Sequence, residues 1–147
     1  RDTLLVPARP GLFIEWDQFI RCLSIGQTEV LPMKYDPRER KYLVEHDHLS
    51  PELGDRIVRD SRTLMRALGY DMCSLEFAVR DGVPYAIDFM NCAPDADLNS
   101  VGKSNFDWVV NNMAEVLLEV ATGQKPLELT GSWPKKMPVD KAAEAPL

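Results

Sequence analysis

The sequence predicts an α+β fold in which an antiparallel β-sheet carries two main helices packed on one of its faces. Short runs rich in β-branched and aromatic residues recur before residue 36 and again between 72 and 89, as is typical of strands. Two longer segments repeat their apolar residues every three or four positions, as is typical of amphipathic helices. The 147 residues are enough for one domain with its own core.

The strands follow in order from the amino-terminal end. Residues 11–16 and 18–25 are the first two predicted strands, and a turn at Gly26-Gln27 leads into a third at 29–35. Residues 36–49 are polar and charged, and Asp36-Pro37 breaks the strand pattern, so this segment is predicted to be a loop. Two further strands are predicted at 72–79 and 83–89.

Helix boundaries are marked by capping residues. The first helix is expected to start after Ser50 as N-cap, with Pro51 at its first position, and to stop at Gly69. The second is expected at 104–121, where one apolar stripe runs along its length. Residues 1–130 are therefore predicted to form the domain, and the proline-rich residues 131–147 a flexible tail.

The segment from Cys73 to Pro94, CSLEFAVRDGVPYAIDFMNCAP, is predicted to be a β-hairpin. Its apolar alternation favours a register in which Phe77 faces Tyr85 across the strands. That register needs a three-residue loop, Arg80–Gly82, closed by Val79 and Val83 and with Gly82 at positive φ.

In this register two acidic residues project from the polar face of the hairpin. Glu76 and Asp88 are expected to lie diagonally, at about 7–8 Å, so that one or two Mg²⁺ ions could bridge them. The competing interpretation is an ordinary solvated sheet face. Without a cation the carboxylates would repel weakly, so Glu76→Gln and Asp88→Asn are expected to leave stability nearly unchanged or slightly raised.

An acidic strand residue, a hairpin, a second acidic residue, then Asn91 with Pro94 three positions later resembles the metal-binding end of the ATP-grasp superfamily. Glutathione synthetase, D-alanine–D-alanine ligase and the ribosomal-protein glutamate ligases are members. The resemblance implies that Glu76, Asp88 and Asn91 hold the Mg²⁺, or Mn²⁺, that bridges the ATP phosphates. The family usually spaces its last acid and Asn two apart, whereas here they are three apart, so Asn91 reaches the metal only if the strand bulges or ends near Met90.

The resemblance extends upstream. Leu12–Glu15 followed by 19–26 resembles the hinge strand of the family and the strand after it. This implies that the backbone around Glu15 and Trp16 binds adenine and that Arg21 acts catalytically near the phosphates. For Arg21 the competing interpretation is a strand arginine with a buried stem. The amino-terminal half of the ATP-grasp domain, with its glycine-rich loop and lysines, is missing from the resemblance, so this chain alone is expected to be inactive.

The implied activity is that of a Mg·ATP-dependent ligase. Such an enzyme phosphorylates a small-molecule or peptide carboxylate and joins the resulting acyl phosphate to an amine. Two alternatives stay open: an ATP-grasp kinase that phosphorylates a hydroxyl, and a degenerate domain that only binds a nucleotide or a partner protein. Retention of both carboxylates and Asn91 argues against degeneration.

Composition argues against several other classes of function. The net charge of −6 disfavours nucleic-acid binding, and no apolar run approaches the length of a membrane-spanning helix. Cys22, Cys73 and Cys92 form no C-x-x-C pair, which favours reduced thiols and a cytoplasmic protein. The segment from Asp95 to Asn99 imitates a calcium loop but lacks the glycine and glutamate that such a loop needs.

Overall fold

A computed structural model describes residues 15–39, 41–43 and 47–125. Five antiparallel strands form one sheet in the order β3-β2-β1-β4-β5, and the predicted α+β architecture is confirmed. The strands are β1 (Gln18–Ile25), β2 (Glu29–Asp36), β3 (Lys41–Leu43), β4 (Met72–Arg80) and β5 (Val83–Asn91), and the helices are α1 (Pro51–Leu68), α2 (Leu98–Val101) and α3 (Lys103–Ala121).

Helix α1 has the ends that its sequence predicts. The Ser50 side chain accepts a hydrogen bond from the Leu53 backbone N–H at 3.3 Å, which satisfies one of the unpaired donors of the first turn. At the other end Gly69 is left-handed, with φ of 71°, and its N–H donates to the Met65 carbonyl. Local chemistry thus fixes both ends of this helix.

The two long helices lie on opposite faces of the sheet, so the prediction that they share one face is wrong. Ile20 and Cys22 belong to the cluster packed by α1, whereas Leu23 and Ile25 belong to the cluster that includes Val109 of α3. Since neighbouring residues of a strand point to opposite faces, β1 is covered on both. A nearly continuous apolar run at the end of β1 is the sequence feature that fits burial on both sides.

Some segments differ from their predicted structure, and others cannot be compared. The predicted loop at 36–49 contains the short strand β3, which pairs with the end of β2. Glu15 and Trp16 lie outside any strand, although the predicted strand 11–16 includes them. Residues 11–14 and the predicted tail at 131–147 lie outside the described residues.

Helix α3 approaches the β1–β2 turn very closely at Gly26. This glycine has a φ of 64°, and a Cβ atom added to it would lie 2.7 Å from Cγ2 of Val116. Both the left-handed backbone and the close helix therefore require glycine at this position. The contact fixes α3 against the edge of the face that also carries the candidate site.

Candidate metal and nucleotide site

The β4–β5 hairpin has a tighter turn than the one predicted. Arg80 pairs with Val83, so the loop consists of Asp81 and Gly82 alone, and both have positive φ, 52° and 71°. Positive φ at both central residues is the type I′ turn that Asp-Gly favours. The positive φ of Gly82 is confirmed, but the predicted loop Arg80–Gly82 closed by a Val79–Val83 pair is wrong.

Two β-bulges in β5 then change which residues face each other. Phe77 pairs with Ala86 and Glu76 with Asp88, so Ile87 is an extra residue on β5. Tyr85 pairs with Ala78 rather than with Phe77, which corrects the predicted register. The alternation of the sequence is thus restored by a bulge in the strand and not by the turn.

The first bulge places the two acidic residues directly opposite each other. Glu76 and Asp88 are cross-strand partners, and partners share a face with their Cβ atoms about 4.5–5.5 Å apart. The expectation that both project on one side of the sheet is therefore confirmed, and the expected diagonal arrangement is replaced by a closer one. Two like charges in such a pair destabilise a sheet unless a cation lies near them.

The second bulge brings Asn91 to the same face. Between the Glu76–Asp88 and Ser74–Asn91 pairs, β4 advances by two residues and β5 by three. Ser74 lies two residues from Glu76 and so shares its face, and Asn91 shares it as the partner of Ser74. The Asn91 side-chain amide lies 3.5 Å from Oγ of Ser74. The condition that the strand must bulge for Asn91 to reach the carboxylates is met.

Arg21 extends this charged row onto a third strand. It pairs with Glu76 across β1 and β4, as Glu76 pairs with Asp88 across β4 and β5. The three side chains form one row, which we call the charged row. The Arg21 guanidinium forms an ion pair with the Glu76 carboxylate, and their side chains are only 22% and 21% exposed. Asp88, by contrast, is exposed.

Two tyrosines hold the other side of the Arg21 guanidinium. Its Cζ atom lies 4.3 Å from the centre of the Tyr35 ring, a cation–π geometry. Nη1 donates a hydrogen bond to the Tyr42 hydroxyl at 3.3 Å. Neither tyrosine is a predicted site residue, because Tyr35 only ends the predicted strand 29–35 and Tyr42 lies in the predicted loop 36–49. Strand β3, Lys41–Leu43, places Tyr42 beside Arg21.

An aromatic row lies beside the charged row. Tyr42, Tyr35, Phe19 and Tyr85 occupy one line of cross-strand partners, with Ala78 between the last two. The Trp16 ring packs on the Tyr85 ring, with 5.5 Å between their centres. Of the predicted adenine-binding residues, Trp16 thus lies at the end of this row, and Glu15 is exposed beside it.

The loop after β5 also lies near Arg21. The Ser100 hydroxyl donates to Oδ2 of Asp95 at 2.6 Å and the Asp97 backbone N–H donates to Oδ1 at 3.0 Å. These hydrogen bonds, the first of them most, and attraction to Arg21 lower the pKa of Asp95 below its ordinary value. Asp97 itself caps α2. These side chains organise the loop.

The cysteines are free thiols with different environments. Cys22 and Cys73 are buried and Cys92 is exposed. Burial raises the pKa of Cys22 to about 12 and that of Cys73 to about 11. The two buried thiols therefore pack in the core as expected, and Cys92 is the one available to reagents.

The donor atoms on this face fit a hard divalent cation. Carboxylate and amide oxygens are the ligands that Mg²⁺ accepts, and Asp88 has no ion-pair partner among the described residues. In that part of the chain, no three His, Cys, Asp or Glu side chains are grouped as a metal site. The candidate ligands Glu76, Asp88 and Asn91 differ from such a group, because they provide two carboxylates and one amide.

Comparison with solved structures gives matches to D-alanine–D-alanine ligase from Bacillus anthracis. The structure complexed with ATP matches with a TM-score of 0.58 and 19% identity, over 76% of this chain and 39% of that one. A second structure of the ligase matches with a TM-score of 0.51 and 19% identity, over 75% and 40%. The matched part of the chain has the fold of the corresponding part of this ligase. The resemblance inferred from the hairpin is thereby confirmed at the level of fold.

The likeness to this ligase is one of structure, because no protein-family model and no curated protein matches the chain. The chain spans about two fifths of the length of the D-alanine–D-alanine ligase structures that it matches. No helix in the described ranges is long and apolar enough to cross a membrane.

Proposed function

We propose that this chain is the metal-binding, carboxyl-terminal part of an ATP-grasp domain in a cytoplasmic Mg·ATP-dependent carboxylate–amine ligase. The observation that carries the proposal is the charged row. Arg21, Glu76 and Asp88 are in direct cross-strand register, on a fold shared with a ligase solved in complex with ATP. A fold alone does not fix an activity, so the proposal depends on the chemistry of this row.

Each member of the site has a separate role in the proposal. Glu76 and Asp88 hold the divalent cation, and the Asn91 amide oxygen completes the protein ligands. When bound, Mg²⁺ neutralises charge on the phosphoryl group that is transferred. Arg21 donates hydrogen bonds to phosphate oxygens, since a guanidinium presents several donors in a fixed plane. The aromatic row, with Trp16 at its end, lies beside the charged row and offers ring faces to the adenine.

The remaining phosphate contacts must come from elsewhere in the protein. We infer that an amino-terminal half with a glycine-rich loop and lysines completes the ATP site, because the chain spans about two fifths of its ATP-grasp matches. The substrates would be a small-molecule or peptide carboxylate and an amine. Since the matched ligase is named for D-alanine, amino acids and dipeptides form the first panel to test.

Hydroxylamine trapping distinguishes this proposal from its rivals. In the protein that includes the amino-terminal half, a carboxylate substrate with Mg·ATP should release ADP and give a hydroxamate when hydroxylamine replaces the amine. A kinase would instead give a stable phosphate ester of a hydroxyl substrate. A degenerate domain would bind nucleotide without releasing ADP.

A matched pair of variants tests the role of the charged row. Asp88→Asn should remove most of the activity, because it deletes a charged ligand of the cation. Asp81→Asn makes the same chemical change in the turn of the same hairpin, where Asn suits the positive φ, and should leave activity near that of the unsubstituted protein. Equal activity in the two variants would refute the proposed metal role of Asp88.

A further inference from the structure

Arg21 already supplies Glu76 with a cation. The guanidinium pairs with the Glu76 carboxylate, stacks on Tyr35 and donates to the Tyr42 hydroxyl. Its Nε atom is buried and has no hydrogen-bond partner in the described part of the chain. One donor of Arg21 is therefore left unused although its neighbours hold the group in place.

Charge is distributed unevenly along the row. Glu76 is neutralised by Arg21, whereas Asp88, its partner on β5, is exposed and has no cationic partner among the described residues. A divalent cation bound by both carboxylates would approach the oxygen atoms that Arg21 now contacts. Like charges at such short range repel strongly in a part-buried site. The guanidinium and the divalent cation therefore cannot both bind the Glu76 carboxylate closely at the same time.

We propose that Arg21 is a tethered counter-cation that competes with the divalent metal for Glu76. Without metal the guanidinium occupies the carboxylate. When metal binds, Glu76 exchanges one cation for the other, and Arg21 becomes available to an anion. Tyr35 and Tyr42 retain the guanidinium during the exchange, because neither contact involves Glu76. This inference rests on the proposed function, since it takes Glu76 and Asp88 as metal ligands.

The exchange couples two binding events at one site. Metal binding would release the Nη2 donor that now contacts the Glu76 carboxylate, and that donor can then contact a phosphate oxygen. A nucleotide that arrives with its metal supplies both the cation for the carboxylates and the anion for Arg21. The arrangement therefore favours the metal–nucleotide complex over either component alone.

Binding of Mn²⁺, followed by electron paramagnetic resonance, tests the competition on the chain itself without any assay of activity. Arg21→Gln should tighten Mn²⁺ binding by about fivefold to twentyfold, the range expected for removing a part-buried competing charge. Arg66→Gln makes the same charge change on α1, on the opposite face of the sheet, and should alter the affinity less than about twofold, because an exposed distant charge is screened.

The variants Glu76→Gln and Asp88→Asn separate failure of this inference from failure of the proposed function. In Glu76→Gln, Mn²⁺ binding should weaken at least about tenfold, and adding Arg21→Gln should no longer tighten it. If binding requires Glu76 and Asp88 but Arg21→Gln leaves it unchanged or weaker, competition is refuted and the metal site stands. If neither carboxylate affects binding, the metal site of the proposed function fails and the inference fails with it.

A measurement on the unsubstituted chain guards against effects of substitution on folding. The ¹⁵Nε–H resonance of Arg21 should move as Mg²⁺ is added, and its movement should saturate with the metal-binding curve. The Nε–H of Arg66 should not move. A stationary Arg21 signal at saturating Mg²⁺ would overturn the proposed exchange.

Discussion

The ion pair between Arg21 and Glu76 makes the two carboxylates of the hairpin unequal, and stability should reveal this. Glu76→Gln leaves the guanidinium part-buried without a carboxylate, whereas Asp88→Asn changes an exposed side chain. The sequence alone predicts that both substitutions are nearly neutral, since it indicates only repulsion between the two carboxylates. The structure adds a cation to one of them and so changes the expectation for Glu76.

The magnitude follows from the burial of the pair. Breaking a fully buried ion pair costs about 3–5 kcal/mol, and an exposed pair is worth less than about 1 kcal/mol. The two side chains are about one fifth exposed, and the Gln amide oxygen can still accept one hydrogen bond, so we expect a loss of about 1–2 kcal/mol. Asp88→Asn should change the free energy of unfolding by less than about 0.5 kcal/mol, in the stabilising direction if repulsion from Glu76 is relieved.

Urea unfolding without added metal, followed by circular dichroism, measures both values. With a slope of about 2 kcal/mol/M, Glu76→Gln should lower the midpoint by about 0.5–1 M, and Asp88→Asn should hardly move it. A double-mutant cycle with Arg21→Gln assigns the loss to the pair if the coupling energy is of the same size. Equal midpoints for the two single variants would refute the reasoning from the ion pair.

Three further predictions use other parts of the chain. Gly26→Ala should lower stability by about 2–4 kcal/mol, because a clash adds to the cost of a left-handed backbone. Gly82→Ala meets no atom within 4 Å and should cost only about 1 kcal/mol. Similar urea midpoints for the two variants would contradict this. Brief alkylation at pH 8 should modify Cys92 alone, since the other two thiols are buried with raised pKa values; intact mass showing two or more adducts would count against it. Ser100→Ala should raise the pKa of Asp95 towards its ordinary value in a carboxyl NMR titration. A lowered pKa stabilises the fold above the unfolded pKa, and that stabilisation is lost as pH falls through the folded pKa. The variant should therefore lose less stability in acid than the unsubstituted protein.

Local chemistry made part of this fold predictable from sequence. The ends of α1 depend on Ser50 and Gly69, which act within a few residues of themselves. The predicted strand 18–25 matches β1, because its apolar and β-branched composition needs no distant information. The placement of α3 does not follow from such signals. It depends on which face of β1 each helix covers, and β1 is apolar on both.

In the hairpin, the faces predicted for the acidic residues are correct although the predicted turn is wrong. Alternation indicated that Glu76 and Asp88 share the polar face, and they do. Unbroken alternation along both strands also favours a three-residue turn, Arg80–Gly82. An Asp-Gly pair instead forms its preferred two-residue turn, and β5 absorbs the mismatch with an extra residue at Ile87. Sequence alternation specifies faces, but it does not say whether a turn or a bulge provides them.

The bulges also account for the unusual spacing of the last acid and the asparagine. In a regular strand, residues three apart point to opposite faces, so Asp88 and Asn91 would be separated by the sheet. Because β5 has one extra residue between Asp88 and Asn91, whose partners are Glu76 and Ser74, the same spacing brings them to one face. The three-residue interval is therefore compatible with a common metal site because β5 bulges beside Leu75. The bulge in β5 thus compensates for the three-residue spacing of Asp88 and Asn91, which departs from the family pattern.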